Sequence, residues 1–218
     1  MAKKLFIPTY KKTRYFDLEK TISQLDKLSK PFFLVYSIQF KNLAEKIKNS
    51  LKEKDSITGF NQVLGCSRPL IPDNTKSILL IGSGRFHAIS LALETGLDVY
   101  IFEQGSEKIS KVEEKEIQKF QKFQKTSKTR FLNAKSIGIL VSLKPGQNRI
   151  KQALELKKQI ENSLEKEAYL FIADTFNLDE TENFPDIESW INTACPRLSL
   201  DKPEMINLNE VYELLDEN

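Results

Sequence analysis

The residues of this 218-residue sequence with the most chemical potential are its two cysteines, Cys66 and Cys195. They lie far apart and outside any CxxC grouping, which argues against a disulfide-stapled secreted protein. The single histidine is His87, and no Cys–His pair emerges, so a catalytic thiol is poorly supported. The alternative is that both cysteines are small buried hydrophobes, as a lone intracellular Cys usually is. In Cys195-Pro196-Arg197 a guanidinium follows two residues after the thiol. It offers a bidentate partner for a carboxylate and a positive field that lowers a thiol pKa. Pairing of Arg197 with Asp201 or another nearby acid is the competing reading. Lys144-Pro145-Gly146-Gln147 suits a type II turn, with Pro and then Gly at its central positions. The turn stands before a helix N-terminus, where free backbone N–H groups favour an anion or carboxylate; an ordinary strand–helix loop explains it as well. Gly82-Ser83-Gly84 begins like a phosphate-binding turn, but lacks the third glycine of GxGxxG and the lysine of a P-loop.

The elements that must position these residues alternate between strand-like and helix-like patterns. Residues 5–8 form a short strand candidate, and Asp17 can cap a helix with Leu18, Ile22, Leu25 and Leu28 at helical spacing. The continuous apolar run 31–38 predicts a strand buried on both faces. A helix through Leu43, Ile47 and Leu51 follows. Residues 77–81 predict a strand ending at Gly82, then a helix to Thr95 stopped by Gly96, then a strand over 98–102. The polar stretch 107–130 reads as helical and separates the halves. The second half predicts strands over 136–143, 168–173, 190–194 and 205–208, with helices over 149–165 and 209–215. Cys66 falls in a loop before the 77–81 strand, and Cys195 falls just past the 190–194 strand. Such alternation predicts an α/β fold in two consecutive small domains, each a mainly parallel sheet flanked by helices. In open α/β sheets ligands collect beyond the carboxyl ends of the strands, where Cys195 falls.

Forty per cent apolar residues, including 14 Phe, supply a core and exclude a disordered chain. The net charge of +3 is small for the length. The basic run 119–130 reads as a linker or one helix face rather than a nucleic-acid stripe. Residues 1–10 carry only the short apolar run Leu5-Phe6-Ile7, so no signal peptide is expected. No stretch approaches the length needed to span a bilayer, and a cytoplasmic location is expected.

Five motifs together resemble the diphthamide synthesis protein 2 family, the archaeal-type 2-(3-amino-3-carboxypropyl)histidine synthase and its eukaryotic subunit relatives. They are Gln62-Val63-Leu64-Gly65-Cys66, Ile81-Gly82-Ser83-Gly84-Arg85-Phe86-His87, Gly138-Ile139-Leu140-Val141-Ser142, Lys144-Pro145-Gly146-Gln147 and Asn192-Thr193-Ala194-Cys195-Pro196-Arg197, followed by Asp201. Their order and spacing are family-like. The resemblance implies three similar α/β domains, each giving one cysteine to a central 4Fe-4S cluster with S-adenosylmethionine bound at its open iron. It implies transfer of the 3-amino-3-carboxypropyl group to a histidine of translation elongation factor 2 by radical chemistry, the first step of diphthamide biosynthesis. Carried over, residues 1–125 are the family's second domain with Cys66, residues 126–218 its third with Cys195, and the two cysteines are metal ligands. Arg197, Gly146 and Gln147 are placed against the methionine carboxylate. His87 either lines the same cavity or is a satisfied structural histidine.

The family's first domain, with its cysteine, has no counterpart in this sequence, and two cysteines cannot supply three thiolates. A hetero-oligomer is therefore expected, in which an N-terminal domain or homologous subunit supplies the third cysteine. The clean start at Met1 fits a split gene. The expected protein substrate is elongation factor 2, with no direct nucleic acid and no membrane. One alternative is a non-catalytic scaffold or partner-binding subunit of the same pathway. Another is a plain nucleotide-binding α/β protein using Gly82-Ser83-Gly84.

Overall fold

The computed structural model describes residues 7–11, 16–51, 56–64, 69–103, 105–199 and 202–216. The chain divides into two compact units, residues 1–117 and 118–218.

The first unit is built on strands β1 (Phe32–Tyr36), β2 (Ile57–Gln62), β3 (Ser77–Ile81), β4 (Asp98–Glu103) and β5 (Lys108–Lys111), in sheet order β2-β1-β3-β4-β5. The first four run parallel, and β5 pairs antiparallel with β4. Both central strands, FFLVY and SILLI, are buried throughout, as a sheet covered on two faces requires. Alternate residues divide between two cores. Phe32, Leu34, Tyr36, Leu79 and Ile81 face helices α1 (Leu18–Gln24) and α2 (Lys41–Ser50). Phe33, Val35, Ile78 and Leu80 face Ala88, Leu91 and Ala92 of α3 (Arg85–Thr95). The expected caps are present: the Asp17 side chain accepts from Lys20 N, and Gly96 ends α3 at φ 67°.

Three elements depart from the sequence reading. Of the strand candidate over 5–8, residues 7 and 8 are irregular chain and residues 5 and 6 lie outside the described residues. Residues 57–62, to which the sequence reading assigns no element, form the edge strand β2. It is only half-buried, so its apolar alternation is weak, and its Gly59 lies beneath the Phe33 ring, where a Cβ would come 2.2 Å from Phe33 Cε2. Residues 108–111, read as the start of a helix, form β5. The helix α4 (Glu114–Asn133) begins after it. In β5 only Ile109 is buried, so the strand's polar composition imitates the polar helix that follows.

The second unit holds β6 (Ser136–Ser142), β7 (Glu167–Ala173), β8 (Ser189–Asn192) and β9 (Met205–Asn207), all parallel in the order β7-β6-β8-β9. One face packs Ile137, Ile139 and Val141 against Ala153, Leu156 and Ile160 of α5 (Ile150–Ser163) and Val211 of α6 (Leu208–Asp216). The other face is aromatic. Trp190 meets Phe171 at a tilt, 4.7 Å between ring centroids, and Phe184 edge to face at 6.2 Å. Gly138 makes room for this indole, since a Cβ there would meet Trp190 Cε3 at 2.4 Å. The chain is thus mixed α/β, with mainly parallel sheets flanked by helices. Among the described residues no helix is long and apolar enough to cross a membrane.

Candidate functional site

Cys195 lies where β8 leaves the sheet, and the loop that carries it is fixed from both ends. Thr193 prolongs the ladder: its N and Oγ1 both donate to Leu140 O, at 3.2 and 2.7 Å. Asn192, only 2% exposed, accepts from Ala194 N through Oδ1 at 2.9 Å and donates through Nδ2 to Cys195 O at 2.8 Å. Beyond the cysteine, Leu198 N donates to Cys195 O at 2.9 Å, closing a 3₁₀ turn over Pro196–Ser199. The thiol itself belongs to a half-buried, unpaired cysteine. Arg197 stands on the 3₁₀ turn and is exposed; Asp201, its proposed partner, lies outside the described residues.

The second loop of this edge leaves β6, the strand beside β8. Gly146 has φ 81° and Gln147 N donates to Lys144 O at 3.0 Å, the type II turn expected of Pro-Gly. The turn is exposed at Gly146 and half-buried at Gln147. Asn148 Oδ1 accepts from Ile150 N at 3.2 Å, so one of the free N–H groups opening α5 is already committed within the chain. Leu140 pairs with Asn192 across the two strands, so the turn and the cysteine loop leave the same sheet edge on adjacent strands. A cavity lined by Ser199, Asn207 and Glu210 borders the loop; at about 10 Å³ it is water-sized, too small for a nucleoside ligand.

In the first unit the corresponding carboxyl edge carries the other candidates. Val63 N donates to Tyr36 O at 2.9 Å, continuing the pairing of β2, and the chain then runs toward Cys66, which lies outside the described residues. After β3, Gly84 turns at φ 86° directly into α3. The first side chain of that helix is not available to a phosphate. Arg85 makes a bidentate pair with Glu116 (Nε–Oε1 2.9 Å, Nη2–Oε2 2.6 Å) and also donates to Ser110 Oγ and Lys111 O. The Glu116 carboxylate raises the Arg85 pKa, and hydrogen bonding from Arg85 holds Glu116 below its ordinary value. Arg85 therefore ties α3 to β5 and to the start of α4. His87, half-buried, meets Phe86 edge to face at 5.6 Å between ring centroids.

The structure thus brings Cys195, Arg197 and the Gly146-Gln147 turn to one edge of one sheet, and places His87 on the other unit's edge. Among the described residues no group of three or more His, Cys, Asp or Glu could hold a metal ion. Sequence reasoning did not find Asn207, whose Oδ1 accepts from Asn192 Nδ2 at 3.0 Å and Ser199 Oγ at 2.8 Å. The available signal was an amide at the end of each of two apolar strands, Ile191-Asn192 and Ile206-Asn207.

The family model for diphthamide synthesis proteins matches residues 2–207. The 2-(3-amino-3-carboxypropyl)histidine synthase of Pyrococcus horikoshii is 27% identical over 208 residues, covering 90% of this chain and 59% of that protein. That of Methanocaldococcus jannaschii is 29% identical over 203 residues, covering 91% and 56%. The Schizosaccharomyces pombe 2-(3-amino-3-carboxypropyl)histidine synthase subunit 1 is 27% identical over 184 residues, covering 77% and 42%. The crystal structure of Dph2 from Pyrococcus horikoshii with a 4Fe-4S cluster superposes at a TM-score of 0.77 and 26% identity, covering 92% of this chain and 61% of that one. The chain thus spans about two-fifths to three-fifths of the length of these relatives. With its five motifs, its sheets and nearly all of its length accounted for by that match, this chain belongs to the diphthamide synthesis protein family.

Proposed function

We propose that this chain forms the Cys66 and Cys195 part of a 2-(3-amino-3-carboxypropyl)histidine synthase, which transfers the 3-amino-3-carboxypropyl group of S-adenosylmethionine to a histidine of translation elongation factor 2. The observation that carries this reading is Cys195. It is an unpaired, half-buried thiol on a tethered loop at a strand's carboxyl edge, in a chain that superposes on a Dph2 crystallised with a 4Fe-4S cluster. The donor chemistry fits, because cysteine thiolates are the ordinary ligands of such clusters. Cys66 and Cys195 would each give one thiolate. A third comes from outside these 218 residues, from an N-terminal domain or a homologous subunit, in a hetero-oligomer of the cytoplasm. The eukaryotic relatives that are called subunits support such an assembly.

When bound, the cluster supplies the electron that breaks a carbon–sulfur bond on the methionine side of S-adenosylmethionine. The chain's own residues do the positioning. Arg197, exposed two residues beyond Cys195, offers a planar pair of donors to the methionine carboxylate. Gln147 N is committed to Lys144 O, so the turn contributes through Gly146 N–H and the Gln147 side-chain amide. The test is transfer of carboxyl-labelled S-adenosylmethionine to elongation factor 2 by an anaerobic complex of this chain with its complementing domain. Label should reach the factor with the natural chain and fall to background with Cys195→Ala. Equal labelling by both chains would make this a non-catalytic scaffold instead.

A further inference from the structure

Asn192 and Asn207 are register partners on adjacent parallel strands, and both end their strands on the edge that carries Cys195. Their chemistry is not symmetrical. A backbone N–H can only donate, so the Asn192 oxygen must be the atom facing Ala194 N, at 2.9 Å. That leaves both Nδ2 hydrogens to donate, one to Cys195 O at 2.8 Å and one to Asn207 Oδ1 at 3.0 Å. Asn207 acts in turn as an acceptor, from Asn192 and from Ser199 Oγ at 2.8 Å on the far side of the cysteine turn, where the one hydroxyl hydrogen is shared with Pro196 O at 2.8 Å. Its backbone N–H is held by Glu210 Oε2 at 2.9 Å, three residues on in α6. The loop is therefore gripped ahead of the thiol, at its carbonyl and behind it by one partly buried network ending on a helix.

We propose that the Asn192–Asn207 amide pair is the positioning device for Cys195, with Asn192 as obligatory donor and Asn207 as obligatory acceptor. The proposal rests on the reading of Cys195 as a cluster ligand for its purpose, but the positioning is a property of the chain alone. A ligating thiolate must meet its metal at a fixed place, and residues behind the ligand commonly set that place. Because the two roles differ, the same replacement has opposite consequences at the two positions. Aspartate at 207 keeps the acceptor, whereas aspartate at 192 loses both donors and sets a carboxylate against two carbonyl-type oxygens.

The test compares Asn192→Asp, Asn207→Asp and Asn207→Ala in the full chain, following alkylation of the Cys195 peptide by iodoacetamide with mass spectrometry, beside thermal melts. The alkylation rate should change about fivefold in Asn192→Asp and Asn207→Ala, the factor carried by one lost hydrogen bond, and stay near the natural value in Asn207→Asp. In the reconstituted complex, the same two variants should shift the electron paramagnetic resonance spectrum of the reduced cluster, and Asn207→Asp should restore it. Equal alkylation rates in Asn192→Asp and the natural chain would overturn the proposal. So would equal damage by aspartate at both positions, which is what a merely structural pair gives. Should Asn207→Ala not fold, the contrast between the two aspartate variants still decides. A natural complex that binds no cluster while the alkylation pattern holds would reject the proposed function and leave the positioning role standing.

Discussion

At the level of single residues, the features best read in advance are those encoded within a few positions. The Pro145-Gly146 turn, the Asp17 cap and the Gly96 stop all depend on local backbone preferences, and all are present. The fixing of Cys195 was not legible in the same way. Asn207 reaches the loop only because β9 pairs with β8, and a register across 15 residues of chain leaves no local signature. The same holds for Arg85, whose partner Glu116 is 31 residues away. This pair gives a prediction with a definite pH sense. Glu116→Gln should lower the stability of the chain toward urea by about 1 kcal/mol at neutral pH, since it removes the charge from a partly buried bidentate pair. Arg85 holds the Glu116 pKa below its ordinary 4.5, so this stabilisation is complete above that value and is lost as pH falls through the lowered one. The urea midpoints of the two proteins should therefore converge in acid. A difference that persists at pH 2 would contradict the assignment.

At the level of elements, the buried strands were legible, and the two edge strands of the first unit were not. Phe32–Tyr36, Ser77–Ile81 and Ser136–Ser142 are apolar runs because both of their faces are covered. β2 and β5 lie at sheet edges, half in water, and their composition resembles loop and helix. Gly138 shows how one element constrains another, because β6 must omit a side chain where Trp190 of β8 crosses it. Gly138→Ala should cost about 1–3 kcal/mol through overpacking and alter the emission of Trp190, the one tryptophan in the chain. An unchanged melting temperature and spectrum would contradict this packing. The end of α4 is closed by a side chain from the loop between α5 and β7. Lys166 Nζ donates to Leu132 O at 2.7 Å and also to Phe131 O and Ala134 O, and burial lowers its pKa. Lys166→Met should lose about 1 kcal/mol and increase hydrogen exchange in the last turn of α4. Protection equal to that of the natural chain would show that the lysine closes nothing.

At the level of the whole molecule, the sequence pattern carried the α/β class because each unit repeats the same solution, a mainly parallel sheet with helices against it. The chemistry is less evenly distributed. One unit holds Cys195 with Arg197 and the Pro-Gly turn on one sheet edge, and the other sends the chain toward Cys66 from its parallel edge strand. In the proposed function Cys66 and Cys195 give two of three cluster thiolates, and the chain spans 59% of the Pyrococcus horikoshii synthase. Ligation by Cys195 of a cluster completed from outside these residues is the central claim. It is tested most directly by iron and acid-labile sulfide analysis of the anaerobically reconstituted complex, made in parallel with the natural chain and with Cys195→Ala. The account predicts the iron and sulfide of one 4Fe-4S cluster in the first complex and loss of most of both in the second. Equal iron and sulfide in the two complexes would contradict it.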